Sequence, residues 1–205
     1  MSHRRLGLAA GLVVAVLTLS ACDGSEGVGT EAYAKGDGTA VEIAEAQRGE
    51  PVEVSGTTLT GEQLDLASMR GRTVVLNVWG SWCAPCRKEA KDLVAASKQL
   101  GPRGVDFVGI NLRDNNTAQA LAYEQKYGIT FPSLKDDGGE LLLAFRGAVP
   151  PKAIPTTLVI DPQGRIAARF SGAITQRTLV DLVEGVTGAS AAPSSSAAPA
   201  AEPST

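Results

Sequence analysis

The chain has few of the cysteine and histidine side chains that form structural zinc sites, with three cysteines and one histidine among 205 residues. Cys22 and His3 both lie within the first 22 residues. Cys83 and Cys86 form a C-x-x-C pair, which is half of a zinc site in many proteins, but the chain offers no second pair of ligands for it. We therefore expect no metal and no other cofactor, and the pair is predicted to be a redox dithiol.

A block of basic residues is also missing. The chain carries 19 basic and 22 acidic side chains, a formal net charge of −3. A mildly acidic chain without a basic cluster gives no support for binding to nucleic acid.

The longest apolar run is too short to span a bilayer. It covers the 14 residues 6–19, whereas a transmembrane helix needs about 20. A basic start with Arg4 and Arg5 precedes it, so residues 1–21 are predicted to be an export signal, with an uncleaved anchor helix as the alternative. The stretch 19–22 resembles the lipobox of bacterial lipoproteins. The resemblance implies that Cys22 is lipidated, becomes the mature N-terminus and holds the protein on the extracytoplasmic face of the cell membrane.

The rest of the chain divides by composition. Residues 22–50 are rich in Gly, Ala, Glu and Thr, which predicts a flexible tether. Residues 189–205 are mostly Ala, Ser and Pro and predict a disordered tail. Residues 51–188 suffice for one domain. We expect a monomer.

The two thiols follow an apolar run at 73–79 that predicts a central strand. Gly80 and Ser81 break this run, and residues 87–100 predict a helix. Cys83 is therefore expected at the helix N-terminus, where unpaired N–H groups and the helix dipole favour a thiolate. This predicts Cys83 as the nucleophile and Cys86, one turn deeper, as the resolving thiol.

The remaining pattern predicts an α/β sandwich with a mixed sheet. A hairpin is predicted at 57–66, strands at 105–112, 155–160 and 165–170, and helices at 89–100, 117–127 and 178–186. The second of these helices has Ala118, Leu121, Ala122 and Tyr127 along it.

Two separated motifs, at 75–89 and 154–161, carry a resemblance to the thioredoxin fold and, more narrowly, to the ResA/TlpA group of membrane-tethered thiol-disulfide oxidoreductases. The resemblance covers residues 50–188. It implies a mixed central sheet flanked by helices, with an N-terminal β-hairpin extension. It also implies that Pro155 is a cis-proline facing the dithiol, the alternative being an ordinary trans proline on an edge strand. Backbone groups of Ile154 would then hold an extended substrate segment. Trp82 and Pro85 are predicted to contact that segment.

Glu89 lies one helical turn after Cys86. In ResA-like proteins a glutamate at this place lies beneath the dithiol, which implies a role in proton transfer to or from Cys86. The alternative is a surface glutamate. Asn77 stands where cytoplasmic thioredoxins have a buried acid. Because asparagine cannot transfer a proton, this departure strengthens the assignment of proton transfer to Glu89.

The resemblance implies a reductase of exported protein disulfides. Its substrate would be the C-x-x-C-H pair of apocytochrome c, which must be reduced before haem attachment, and its electrons would come from a CcdA/DsbD-like membrane donor. Outside the cytoplasm disulfides persist, so such a protein needs an external electron supply.

Three other functions stay open at this point. The dithiol could form disulfides as an oxidase, because the direction depends on its reduction potential. A thiol peroxidase would normally carry a Thr-x-x-Cys sequence, where Gly80 stands here. A non-enzymatic binding lipoprotein is the third; a copper-delivering form would need a histidine beside the thiols.

Overall fold

The computed structural model of the chain describes residues 32–35, 38–145, 147–149 and 154–190. The predicted signal segment, Cys22 and residues 191–205 of the predicted tail lie outside the described residues.

A seven-stranded mixed sheet forms the centre of the domain. Its strands are β1 (Ala32–Lys35), β2 (Gly38–Glu42), β5 (Thr73–Trp79), β6 (Val105–Leu112), β7 (Ser133–Asp136), β8 (Thr156–Ile160) and β9 (Ile166–Ser171). They lie in the order β1-β2-β9-β8-β5-β6-β7. The parallel pairs are β5 with β6 and β6 with β7, and the other neighbours are antiparallel. This topology confirms the predicted α/β class and mixed sheet.

A separate two-stranded hairpin precedes the central strand, as predicted. It consists of β3 (Ser55–Thr57) and β4 (Gln63–Asp65), which pair antiparallel. The described residues also form three α-helices: α1 (Ala84–Leu100), α2 (Thr117–Tyr127) and α3 (Gln176–Ser190). Helix α3 is longer at both ends than the predicted 178–186.

The core lies on both faces of the sheet because β5 has apolar residues at successive positions. Val75 packs with residues of α1 and α3 on one face. Val74, Leu76 and Val78 pack on the other face. Their partners there are residues around the hairpin and Leu142, Phe145 and Val149. Successive side chains of a strand point to opposite faces, so a continuous apolar run suits a strand covered on both sides.

The prediction of a flexible tether over residues 22–50 is wrong for 32–35 and 38–50, so the domain begins before residue 51. Strand β2 pairs with β9, and β1 pairs with β2. Arg48 also enters the domain, where its Nη1 lies 3.1 Å from Oδ2 of Asp161; their side chains are 3% and 0% exposed. Arg165 donates to the same carboxylate at 2.9 Å. These contacts hold the segment, because removing one member of a buried ion pair leaves a costly unpaired charge.

Candidate redox-active site

The turn between β5 and α1 places both thiols at the end of the central strand. Gly80 is required there, since a Cβ atom would lie 2.8 Å from Trp82 Nε1 and 3.2 Å from the carbonyl oxygen of Leu112. The chain then enters α1 with Cys83 as the N-cap residue. Pro85 lies in the first turn of α1, where a missing N–H costs no intrahelical bond.

Cys83 and Cys86 are joined as a disulfide, with their Cα atoms 5.3 Å apart. Sγ of Cys83 accepts a hydrogen bond from the backbone N–H of Cys86 at 3.1 Å. Cys83 is 4% exposed and lines a surface groove, whereas Cys86 has no exposed surface. An incoming sulfur therefore has access to Cys83 alone, which supports the predicted roles of nucleophile and resolving thiol.

Trp82 forms one wall of the groove and is 54% exposed. Its indole Nε1 donates to the carbonyl oxygens of Leu112 and Arg113, at 3.2 and 3.1 Å. The exposed ring is thus held by two backbone acceptors, which limits its motion beside Cys83. This location is compatible with the predicted contact between Trp82 and a substrate segment.

A polar cluster behind Trp82 was not predicted from the sequence. Asp114 accepts hydrogen bonds from the backbone N–H and the hydroxyl of Ser81, and from Asn111 Nδ2 at 2.6 Å. Arg87 Nη1 donates to the carbonyl oxygen of Ser81 at 2.8 Å. These bonds join the loop after β6 to the turn that carries Cys83.

The peptide bond between Ile154 and Pro155 is cis. Ile154 packs against the apolar cluster that contains both cysteines, and it lines the groove beside Cys83. Pro85 lines the same groove. The structure thus brings Trp82, Pro85 and Ile154 together around Cys83, and their contacts with a substrate remain predictions.

Glu89 is buried rather than on the helix surface, with 1% of it exposed. Oε1 accepts a hydrogen bond from Asn77 Nδ2 at 2.9 Å, and Oε2 accepts one from the backbone N–H of Ile174 at 3.0 Å. Asn77 Nδ2 also donates to the hydroxyl of Thr157 at 3.1 Å. Asn77 and Ile174 therefore orient this carboxyl directly, and Thr157 holds Asn77 in place.

Burial raises the pKa of Glu89 from its ordinary value of 4.5 to about 8. The hydrogen bonds from Ile174 and Asn77 act in the opposite direction, and the negative charge of Asp92 adds to the increase. This pKa of the Glu89 carboxyl is close to the ordinary pKa of a thiol, about 8.5. The group is therefore suited to exchange a proton with a cysteine near neutral pH.

Tyr123 also belongs to the site and, like the cluster around Asp114, was not predicted from the sequence. Its hydroxyl donates to the carbonyl oxygen of Cys86 at 2.8 Å, and its ring stacks on Trp79 with centroids 4.5 Å apart. Burial and the nearby charge of Glu89 raise the pKa of Tyr123, so the hydroxyl stays protonated and acts as a donor. The bond fixes the backbone at the resolving cysteine.

Within the described parts of the chain, no cluster of three or more His, Cys, Asp or Glu side chains is arranged for a metal ion. None of the described helices has the length and apolar character needed to cross a membrane.

The chemistry available at this site is therefore thiol-disulfide exchange. Enzymes that carry out this exchange are thiol-disulfide oxidoreductases, and the chain is one of them.

Comparisons with known proteins agree with this class. The profile of the AhpC/TSA family matches residues 48–169, and the chain belongs to that family. The thiol-disulfide oxidoreductase ResA of Bacillus subtilis is 31% identical over 121 residues, which are 59% of this chain. The match spans 65% of the length of that relative.

Two solved structures confirm the thioredoxin fold. A DsbF homologue from Corynebacterium diphtheriae is 36% identical with a TM-score of 0.67, over 75% of this chain and 96% of that one. A secreted thiol-disulfide isomerase from Corynebacterium glutamicum is 32% identical with a TM-score of 0.69, over 76% and 96% of the two chains.

Proposed function

We propose that the protein is a lipid-anchored reductase of disulfides on the extracytoplasmic face of the cell membrane. The observation that carries this proposal is an accessible Cys83 together with a buried Glu89 one helical turn after Cys86. The first sulfur can attack a substrate disulfide, and the carboxyl can accept the proton that the second thiol must lose. The resemblance of the motifs at 75–89 and 154–161 to the ResA/TlpA group implies the reductive direction.

The reaction begins when the Cys83 thiolate attacks one sulfur of the substrate disulfide. A mixed disulfide forms, the substrate bond breaks, and the released substrate thiolate takes a proton from solvent. Glu89 then accepts the proton of the Cys86 thiol. The Cys86 thiolate attacks Sγ of Cys83, which leaves the Cys83–Cys86 disulfide and releases the second substrate sulfur as a thiolate that takes a proton from solvent. Two electrons have passed from the enzyme to its substrate.

The groove beside Cys83 suits an extended segment of a substrate protein. It lies against the loop 112–113 on one side and Ile154 on the other. An extended chain presents its own backbone N–H and C=O groups for strand-like pairing, here with Ile154. We propose apocytochrome c as a substrate protein. The disulfide that the enzyme reduces would be the one between the two cysteines of its C-x-x-C-H sequence.

The proposed location rests on the sequence of the N-terminus. Residues 1–21 would be removed and Cys22 lipidated; two or more acyl chains hold a protein on a membrane stably, where one is marginal. The segment between Cys22 and β1 would be the only tether. A CcdA/DsbD-like donor in the same membrane would reduce the enzyme again, because confinement to one membrane raises the effective concentration of both partners.

A second candidate function is the formation or rearrangement of disulfides in exported proteins. The similarity to the secreted thiol-disulfide isomerase of Corynebacterium glutamicum favours it, since that protein is named for the rearrangement of disulfides. The same two cysteines would act, with electrons moving in the opposite direction.

Incubation of the reduced protein with an oxidised C-x-x-C-H peptide tests the proposal. The mature chain with Cys22→Ser would be used, since this change removes only the predicted lipidation site. We expect close to one peptide disulfide reduced per protein molecule, counted by mass spectrometry after acid quenching. The proposal is wrong if the peptide stays oxidised while the oxidised protein forms disulfides in a reduced, unfolded substrate. Rapid consumption of hydrogen peroxide by the reduced protein would instead indicate a peroxidase.

A further inference from the structure

Two adjoining depressions, which share part of their lining, make up the groove beside the accessible sulfur. Both are lined by Ala84, Pro85 and Ile154. The first extends towards Trp82 and Arg113, and the second towards Lys88 and Pro155. A substrate segment whose disulfide reaches Cys83 would therefore extend over both.

The charged side chains that line this groove are all basic. Arg113 lines the first depression and Lys88 the second. No carboxylate is among the described residues that line either depression. The contrast with the acidic chain as a whole is clear, since its formal net charge is −3. The groove thus favours a negatively charged segment.

Arg113 adopts an unusual backbone conformation. Its φ of +51° is the only positive φ of a non-glycine residue in the described part of the chain. Two bonds hold it there: its N–H donates to the carbonyl oxygen of Asp136 at 3.1 Å, and its own carbonyl oxygen accepts from Trp82 Nε1 at 3.1 Å. Glycine or asparagine adopts this conformation more easily than arginine. An unfavourable conformation next to a reactive site is a reason to seek a function for the side chain.

The guanidinium of Arg113 is available to a ligand. Arg113 is exposed, and Nη2 has a long contact of 3.4 Å with the carbonyl oxygen of Gly138. No described carboxylate forms an ion pair with it. Gly139 leaves room for this side chain, because a Cβ there would lie 2.8 Å from Nη2. Guanidinium groups bind carboxylates through two parallel hydrogen bonds.

We propose that Arg113 determines substrate specificity by binding an aspartate or glutamate side chain of the substrate, on the Trp82 side of the cysteine that Cys83 attacks. This inference rests on the proposed function, because it concerns the segment that the reductase would hold. It assigns Arg113 to substrate recognition and not to the exchange chemistry.

Four peptides test the inference, each with one cysteine in a disulfide with 2-mercaptoethanol. Two carry glutamate, either two residues before or two residues after the cysteine, and two carry glutamine at the same places. The reduced protein is expected to release one glutamate peptide about threefold faster than its glutamine partner, as for a partly exposed ion pair. High salt should remove the difference.

Single substitutions test whether Arg113 causes the preference for the glutamate peptide. Arg113→Gln is expected to bring the ratio of the two rates to one, and Arg113→Lys to keep it above one. Arg103→Gln is the matched control, because Arg103 follows the far end of α1, about 25 Å along the helix, and it should keep the wild-type ratio. A lower fraction of active protein slows both peptides equally, so it does not change the ratio of their two rates.

The outcomes separate the two proposals. Equal rates for all four peptides would overturn the role of Arg113 and leave the reductase proposal standing. A preference removed by Lys88→Gln but kept in Arg113→Gln would also overturn it. Failure to reduce any peptide would instead contradict the proposed function.

Discussion

Replacement of Cys83 with serine is expected to lower the rate of disulfide reduction by at least about a thousandfold, because a serine oxygen does not form the mixed disulfide. Replacement of Cys86 with serine is expected to leave the first step intact and stop the second. The mixed disulfide between Cys83 and the substrate should then accumulate. This difference follows from the structure, in which Cys83 lines the groove and Cys86 is fully buried.

Mass spectrometry under non-reducing conditions measures both results. The Cys86→Ser protein should gain the mass of one peptide, and the Cys83→Ser protein should gain none. Ser97→Ala is a suitable control, since the Ser97 hydroxyl bonds within α1 to the carbonyl oxygen of Val94, far from the dithiol. A stable adduct on Cys86 of the Cys83→Ser protein would show that the two roles are reversed. Unchanged activity after Cys83→Ser would favour a binding lipoprotein without enzymatic function.

The second large effect is expected at Glu89. With a pKa of about 8, only about a tenth of this carboxyl is ionised at pH 7. Its capacity to accept the Cys86 proton therefore increases with pH and levels off above about pH 8. Replacement with glutamine removes the acceptor, and we expect resolution of the mixed disulfide at pH 7 to slow by about a hundredfold.

Rapid-mixing measurements of mixed-disulfide decay between pH 6 and 9 test this expectation. The wild-type rate should rise and level off, whereas the Glu89→Gln rate should remain low and rise only as the thiol itself ionises. Glu184→Gln is the matched control, because Glu184 is half-exposed on α3 and pairs with Arg103. A wild-type pH profile in Glu89→Gln would contradict a role in proton transfer.

The pH dependence of the free energy of unfolding provides a separate measurement of the raised pKa of Glu89. The folded protein binds the Glu89 proton up to about pH 8, and an unfolded chain releases it near pH 4.5. Between these values the folded state holds more protons, so the free energy of unfolding of the oxidised protein should decrease as pH increases. The Glu89→Gln protein should lack this decrease.

Much of the fold could be predicted from local patterns. The predicted bounds of β5, β6 and α2 agree with the structure, because long apolar or periodic segments end at clear turn residues. Strand β7 was missed because its four residues include a lysine and an aspartate and are too short to show a period. Strands β1 and β2 were missed because they are rich in Ala, Gly and Thr, and pairing with β9 stabilises β2.

The buried face of α2 shows where the pattern misleads. The apolar pattern of this helix includes Ala118, Leu121, Ala122 and Tyr127, whereas its buried residues are Ala120 and Tyr123. Leu121 is exposed at 36%. The rings of Trp79 and Tyr123 decide the orientation, and their contact joins residues that are far apart in the sequence.

Contacts between residues far apart in the sequence also explain which parts of the site could not be predicted. The spacing of Cys83, Cys86 and Glu89 is local, so their positions could be predicted from the helix period. The partner of Glu89 at Ile174 is 85 residues away, and the contact of Arg113 with Trp82 is 31 residues away. A local pattern contains no signal for either contact.

The reduction potential of the Cys83–Cys86 pair tests the central claim most directly. It would be measured by equilibrating the mature chain, with Cys22→Ser, in buffers of reduced and oxidised dithiothreitol or glutathione. We predict a value of about −250 mV or lower, close to that of thioredoxin, as a reductase requires. A value of about −120 mV, as in the strong oxidant DsbA, would contradict the account and favour disulfide formation in exported proteins.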